Sequence, residues 1–319
     1  RAAGIGGGEG GAGGNITISG GTVEATGKGS AKGIGGGTSG KDGTFYTDPN
    51  GSAFIIASSI GDNSEEKKGN WSGIIFDGNA GYVGGNQSAP PDLEIKGGQT
   101  LTIPDGSKLT INNGTTLTNN GTIQIDQGGT LENNGTLTGS GTFTGDGEIT
   151  GTKLTQATPN AGEGYAINCT TEQITIENGY RVSSDKSDTI ADGPIDPGRQ
   201  LHVRKMENNF YNASDWTNFT TPSRGTTPSV SIDYVEEELN TTMAMQYVIG
   251  TSGHGVQSWA SCTANMGVLA FGWDGSEVTV QFRTAATRTN YASEAQEVTI
   301  PVRPAAPSGL QGQSTSFAG

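Results

Sequence analysis

Residues 101–125 read LTIPDGSKLTINNGTTLTNNGTIQI, and their spacing decides the fold. Leu101, Leu109, Leu117 and Ile123 each open a short run in which a Thr or Gln follows the apolar residue, and the runs are separated by polar turns. Alternation over so few residues is a strand signal, because successive strand side chains point to opposite faces. Working outward, the same opening position returns at Leu93 before the stretch and at Leu131, Leu137, Phe143 and Ile149 after it, at steps of 6 or 8 residues. Three such sides per turn predict coils of about 18–24 residues, a solenoid period. The corners repeat as Asn112-Asn113-Gly114, Asn119-Asn120-Gly121 and Asn133-Asn134-Gly135. Asn and Gly tolerate left-handed turns, and stacked Asn side chains are expected to bond one another in a ladder.

Toward the N-terminus, Ala3-Gly4-Ile5-Gly6-Gly7-Gly8 returns 29 residues later as Lys32-Gly33-Ile34-Gly35-Gly36-Gly37, with the alternating run Asn15-Ile16-Thr17-Ile18 between them. Residues 40–90 are expected to interrupt this repeat, with buried strands at 52–57 and 71–76 and a charged loop from Asp62 to Lys68. Toward the C-terminus a second duplication starts after the polar linker Gln156–Gly164. Arg204, Ala213, Pro222 and Arg224 match Arg283, Ala292, Pro301 and Arg303 at an offset of 79, while Ile167, Cys169 and Glu172 match Ile232, Tyr234 and Glu237 at 65. The predicted fold class is therefore all-β: a parallel β-helix over 1–155, a right-handed solenoid, followed by two small Ig-like β-sandwich modules over 156–226 and 227–306. Pro304–Pro307 reads as an inter-module linker and 307–319 as a linker or tail.

Composition agrees with this and excludes other classes. Glycine supplies 54 of the 319 residues, only 31% are hydrophobic and 16% charged, which is not how a helix-rich globular enzyme is written. Recurring β-branched residues argue against disorder and for stacking of units that bury little alone. The net charge of −14 argues against nucleic acid, whose phosphates require clustered Lys and Arg. No stretch reaches the 18 or so apolar residues of a membrane span, so no membrane insertion is expected in this segment. No signal peptide is present and the chain opens inside a repeat, so it reads as a fragment whose export signal and anchor lie outside it.

Four groups of residues carry a resemblance: Ile16-Thr17-Ile18 with Gly20-Gly21-Thr22-Val23; Trp71-Ser72-Gly73-Ile74-Ile75-Phe76; Leu101-Thr102-Ile103-Pro104 with the Asn-Gly-Thr corners; and Val298-Thr299-Ile300-Pro301-Val302-Arg303-Pro304-Ala305-Ala306-Pro307. On these the chain resembles the large, repeat-built, wall-anchored surface proteins of Gram-positive gut anaerobes, in which Gly-rich β-helices precede tandem Ig-like modules. The resemblance implies an extracellular, cell-wall-attached, adhesin-like segment. Its Gly-rich part is also similar to carbohydrate-binding β-helices. No catalytic residue is carried over from either.

The residues themselves point to no enzyme. His202 and His254 are too few for a His-rich metal site, and His202 alternates with Leu201 and Val203, so it is expected to face solvent. Cys169 and Gln173 are similar to an internal thioester pair, but the spacing is one residue too long, and Cys169 aligns with Tyr234 as a core position. Cys262, with Met245, Tyr247 and Trp259 nearby, is expected to pack in a module core. The two cysteines fall in different modules, so no disulfide is expected.

Glu94, Asp126, Glu132, Asp146 and Glu148 sit at or beside strands. A pair about 5–9 Å apart could hydrolyse a glycoside, but outward acids also oppose lateral association of a long sheet, and that reading is preferred. No cofactor is expected; Ca²⁺ is the one ion considered, with no ligand set readable. A non-enzymatic stalk or adhesin heads the function classes, with a surface glycan or protein as partner. A carbohydrate-binding β-helix using Phe45, Tyr46 or Tyr82 is next, and a polysaccharide-degrading enzyme third.

Overall fold

A computed structural model describes residues 1–61, 71–250 and 258–303. Among the described residues the regular elements are strands, apart from one short 3-10 helix at Val268–Phe271. The Asp62–Lys68 loop, His254 and the Pro304–Pro307 linker lie outside the described residues. The chain divides into two compact units: Arg1–Ala157 with Lys205–Asp215, and Thr158–Arg204 with the residues from Trp216 onward.

The first unit opens with β1 (Ile5–Gly6), β2 (Asn15–Ile18), β3 (Thr22–Ala25), β4 (Ile34–Gly35), β5 (Thr44–Thr47), β6 (Phe54–Ala57) and β7 (Gly73–Asp77). Strands β1 and β4, β2 and β5, and β3 and β6 pair in parallel at offsets of 29, 29 and 32 residues, as two stacked wide loops; β7 then adds parallel to β6. The repeat thus runs through 44–57, which the sequence pattern had placed in an interruption. The break comes at a two-residue hairpin turn, Gly78-Asn79, with φ +60° at Gly78, after which β8 (Ala80–Gly84) runs antiparallel to β7. Glycine at the first central position is what a type II′ hairpin requires.

From β8 the chain forms a regular solenoid of about four turns. Its strands are β9 (Asn86–Ser88), β10 (Leu93–Ile95), β11 (Thr100–Ile103), β12 (Lys108–Ile111), β13 (Thr116–Asn119), β14 (Thr122–Ile125), β15 (Thr130–Asn133), β16 (Thr136–Thr138), β17 (Thr142–Thr144), β18 (Glu148–Gly151) and β19 (Leu154–Thr155). They stack in parallel as three sheets, β8-β11-β14-β17, β9-β12-β15-β18 and β10-β13-β16. Leu93 faces Leu117 and then Leu137, Leu101 faces Ile123 and then Phe143, and Leu109 faces Leu131 and then Ile149. Successive coils are therefore 24, 22, 22, 20, 20 and 18 residues long at these positions, so the solenoid tapers. The shortening is made at corners: Gly145 adopts φ +95° and packs so close to the Ile125 carbonyl that a Cβ would stand 2.1 Å from it. Leu101, Leu109 and Leu117 line one continuous interior with the apolar residues above and below them.

The seven strands β3-β6-β7-β8-β11-β14-β17 form a single sheet that serves two cores. Ile55 and Ile75 belong to the core of the wide loops, whereas Ile74 and Phe76, on either side of Ile75, and Val83 on β8 belong to the core of the regular coils. This explains the unbroken apolar run Ile74-Ile75-Phe76, since a strand covered on both faces does not alternate. At the hairpin both the strand direction and the buried face reverse while the climb along the sheet continues. Two reversals leave the sense of winding unchanged, so both parts coil with one hand.

The far end of the solenoid is covered by residues 205–215, which contain β25 (Tyr211–Asn212). This strand pairs in parallel with β19, Ile149 N donates to Asn209 O at 3.0 Å, and the Phe210 and Tyr211 rings lie 6.1 and 6.0 Å from Phe143.

The second duplication is visible as two antiparallel modules. Module 1 has β20 (Tyr165–Asn168), β21 (Gln173–Ile176), β22 (Tyr180–Ser183), β23 (Gly193–Pro194), β24 (Gln200–Lys205) and β26 (Thr217–Thr220), arranged as sheets β20-β21-β23 and β22-β24-β26. Module 2 has β27 (Ile232–Asp233), β28 (Glu238–Leu239), β29 (Met245–Ile249), β30 (Ala260–Ser261), β31 (Met266–Gly267), β32 (Val278–Thr284) and β33 (Gln296–Ile300), arranged as β27-β28-β31 and β30-β29-β32-β33. The equivalences reach single atoms. Asn168 and Asp233 each accept two backbone N–H bonds across the first turn, Glu172 and Glu237 take φ of +53° and +54°, and Ser214 and Ser293 cap Lys205 N and Thr284 N alike. One matched pair diverges: Cys169 is buried but Tyr234 is 70% exposed, so the shared core position expected there does not exist. Trp259 also lies outside the module core, half-buried under Arg283, whose guanidinium carbon is 4.2 Å from the ring centroid.

Candidate binding surface

Because inward positions of the solenoid are apolar, the alternate positions form outward rows, and on one sheet these rows are neutral and hydroxylated. Register aligns Tyr82, Thr102, Gln124 and Thr144 in one row and Ala80, Thr100, Thr122 and Thr142 in the next. Neighbouring strands repeat at about 4.8 Å, and the Thr122 and Thr142 hydroxyls stand 3.2 Å apart. Neither row holds a charged side chain. Tyr82 heads the first row while packing partly against the core of the wide loops. These threonines are legible as Thr-Leu-Thr, Thr-Ile-Gln and Thr-Phe-Thr at three successive coils, where alternation marks them as outward but does not show that they align in rows.

The aromatic trio read from sequence is not brought together. Phe45 is 5% exposed and belongs to the core, which corrects its placement on the surface. Tyr46 is exposed on β5, in a different sheet from Tyr82.

The acids are similarly dispersed. Glu94 lies on β10, where it accepts from Asn120 Nδ2 at 3.1 Å; Asp126 accepts from Gln124 Nε2 at 2.7 Å beyond β14; Asp146 stands at an exposed corner. Only Glu132 and Glu148 sit on adjacent strands, opposite Thr150 and Thr130 respectively. Glu132 is held by Lys108 Nζ at 2.8 Å, with further bonds from Asn134 and Thr110, and the Lys108 bond, followed by Asn134 and the Lys108 charge, keeps its carboxyl below the ordinary range. A carboxylate so stabilised is poorly placed to deliver a proton to a leaving group.

The nucleophile candidates face inward. Cys169 is buried with Sγ 3.6 Å from the Arg288 carbonyl, while Gln173 lies on the exposed side of β21, so the two do not meet as a thioester pair. Burial pushes the Cys262 thiol up to about 11, away from thiolate reactivity. Both cysteines are free. His202 Nδ1 is 2.6 Å from Asn218 Oδ1 on a half-buried strand face, with the ring edge-on to Trp216.

The corner asparagines depart from the expected ladder. Asn119 and Asn133 are buried; each accepts from the N–H two residues on, at Gly121 and Gly135, and each donates Nδ2 to a carbonyl one coil further, Thr142 O at 3.0 Å and Thr152 O at 2.7 Å. They thus tie coil to coil through backbone rather than through one another. Of the three glycines that end the Asn-Asn-Gly corners, Gly114 alone takes a left-handed φ, +79°.

Among the described residues, no three or more His, Cys, Asp or Glu side chains are grouped to hold a metal ion, and no helix is long and apolar enough to cross a membrane. Comparison with protein-family models, with curated proteins and with solved structures gives no match.

Proposed function

We propose that this chain is a non-enzymatic segment of a bacterial surface protein, extracellular and attached to the wall through a region beyond this sequence, acting as a structural stalk or adhesin. The observation that carries this reading is the pair of neutral, register-locked rows on the solenoid: a flat, repeating face suits contact with an extended partner. Its resemblance to repeat-built surface proteins of Gram-positive gut anaerobes supports the same reading, and the two antiparallel modules would then be Ig-like spacers. No cofactor is needed for such a role.

A carbohydrate-binding β-helix is the second reading, favoured by Tyr82 at the head of a hydroxyl row. An aromatic face beside regularly spaced hydroxyls offers a sugar both stacking and hydrogen bonds. Glycan-array binding together with turnover assays on pectic and mucin-type polymers separates the possibilities. Binding without turnover, weakened at least tenfold by Tyr82→Ala with Thr102→Val, supports the glycan reading. Silence on every glycan leaves the stalk or a protein-binding adhesin, and measurable depolymerisation defeats the non-enzymatic proposal.

A further inference from the structure

Each module sends one loop back to the segment that precedes it. In module 1 the loop between β24 and β26 carries Tyr211-Asn212, which pairs in parallel with Leu154-Thr155. Its equivalent 79 residues on, between β32 and β33, carries Tyr291, which bridges in parallel to Arg224 at the end of module 1. Tyr291 is fully buried there among Cys169, Ile174 and Ile195. Its N–H donates to Ser223 O at 3.0 Å, its carbonyl accepts from Gly225 N at 2.9 Å, and its hydroxyl has no hydrogen-bond partner among the described residues. Arg224 completes the seat: Nη1 reaches Glu172 at 2.9 Å and Ala292 O at 3.1 Å, and Nε reaches Glu294 at 2.8 Å.

Module 2 carries a matching seat, walled in addition by Trp273, that no described residue plugs. A cleft of about 160 Å³ is lined by Ile232, Glu237, Val268, Ile300, Pro301 and Arg303. Five of these match Ile167, Glu172, Thr221, Pro222 and Arg224 by the two offsets of the duplication. Arg303 pairs with Glu237 at 2.7 Å, as Arg224 does with Glu172. Val302, in the place of Ser223, is 59% exposed, and Tyr234, in the place of buried Cys169, is 70% exposed. A cavity of about 150 Å³ admits a benzene ring, so the cleft is of the size one aromatic side chain fills.

We propose that this cleft is an acceptor for the tyrosine-bearing loop of a further module of the same design, standing to module 2 as module 2 stands to module 1. The occupant would insert its ring beside Ile232 and Val268, pair its backbone with Val302, and place an acid, the counterpart of Glu294, against Arg303. Both loops carry a matching continuation, Ala213-Ser214-Asp215 and Ala292-Ser293-Glu294, which gives the occupant a recognisable Ala-Ser-acid signature.

The test uses the whole chain and a fluorescein-labelled peptide of residues 284–294. The peptide is cyclised because Thr284 and Ser293 already hold each other across the neck of the loop at 2.8 and 3.1 Å. Saturable binding is expected, weakened at least tenfold both by replacing the peptide's tyrosine with alanine and by Arg303→Glu in the protein. The peptide change needs no refolding of the protein, and Arg303 is a surface residue. Absence of saturation up to about 1 mM, the regime of only ~4 kcal/mol, or equal binding of the alanine peptide, overturns the proposal. Concentration-dependent self-association of the chain that Arg303→Glu abolishes overturns it in favour of a second copy as occupant.

Discussion

At the scale of single residues, the buried asparagines show how a solenoid with little apolar surface holds its coils in register. Asn133 is 3% exposed; it satisfies Gly135 N within its own corner and Thr152 O in the next coil. Removing its amide takes the partner from two part-buried backbone groups, Gly135 N and Thr152 O, and a typical hydrogen bond contributes about 0.5–1.5 kcal/mol. Asn133→Ala is therefore expected to lower unfolding stability by ~1–3 kcal/mol, while Asn113→Ala at an exposed corner stays within ~0.5 kcal/mol. Urea denaturation of the two variants checks this, and equal midpoints would show that the corner amides are replaceable by water. The sequence repeat Asn-Asn-Gly exposed the corners but not this division of labour, because all the asparagines are equally polar; only register places Asn119 and Asn133 inside and leaves Asn112 exposed.

At the scale of elements, strand period and turn chemistry were legible to different degrees. The solenoid sides were readable because Leu, Thr and Ile alternate with period two and each apolar opening recurs on the next coil. The reversal at β7–β8 was missed although Asp77-Gly78-Asn79 is ordinary hairpin chemistry, since the doubly buried run Ile74–Phe76 has no alternation to mark its direction. The β22 turn offers a prediction at this scale. Asp188 accepts bonds from the Ser183 and Ser184 hydroxyls, both at 2.5 Å, and from Ser184 N at 2.7 Å, and these bonds, Ser183 first, hold its carboxyl far below the ordinary range. A carboxyl depressed in the folded state contributes stability above the unfolded value, about 3.9, and loses it as pH falls toward the folded value. Asp188→Asn is expected to be less stable than the parent at pH 7, and the gap should narrow steadily below about pH 4. A gap in denaturation midpoint that stays constant from neutral pH to about 2.5 would falsify the assignment of this turn as acid-sensitive.

At the scale of the whole molecule, a stack of parallel coils is stable inside and vulnerable at its ends, because the last strands present unpaired edges and an uncovered core. Here the last coil is finished by residues that come some 50 positions later in the chain, a relation that local pattern cannot reveal: Phe210 and Tyr211 read as an ordinary module loop until β25 is seen beside β19. The duplication did hold a clue, since Asn212 occupies the place of Tyr291, which performs the same covering in module 1. Replacing Phe210 and Tyr211 together by Ser removes the two rings that lie against Phe143. Because Phe210 is only half-buried, the expected cost is ~1–3 kcal/mol rather than the 3–5 of a fully buried aromatic. The larger effect should be colloidal. With its apolar end and strand edges open, the double variant is expected to associate as concentration rises from micromolar to millimolar, and to lose amide protection over 142–155 while 100–125 stays protected. Sedimentation velocity and hydrogen exchange on the intact chain read the two effects separately. A monodisperse variant with native protection over 142–155 would mean that the last coil closes itself and that residues 205–215 merely rest against it.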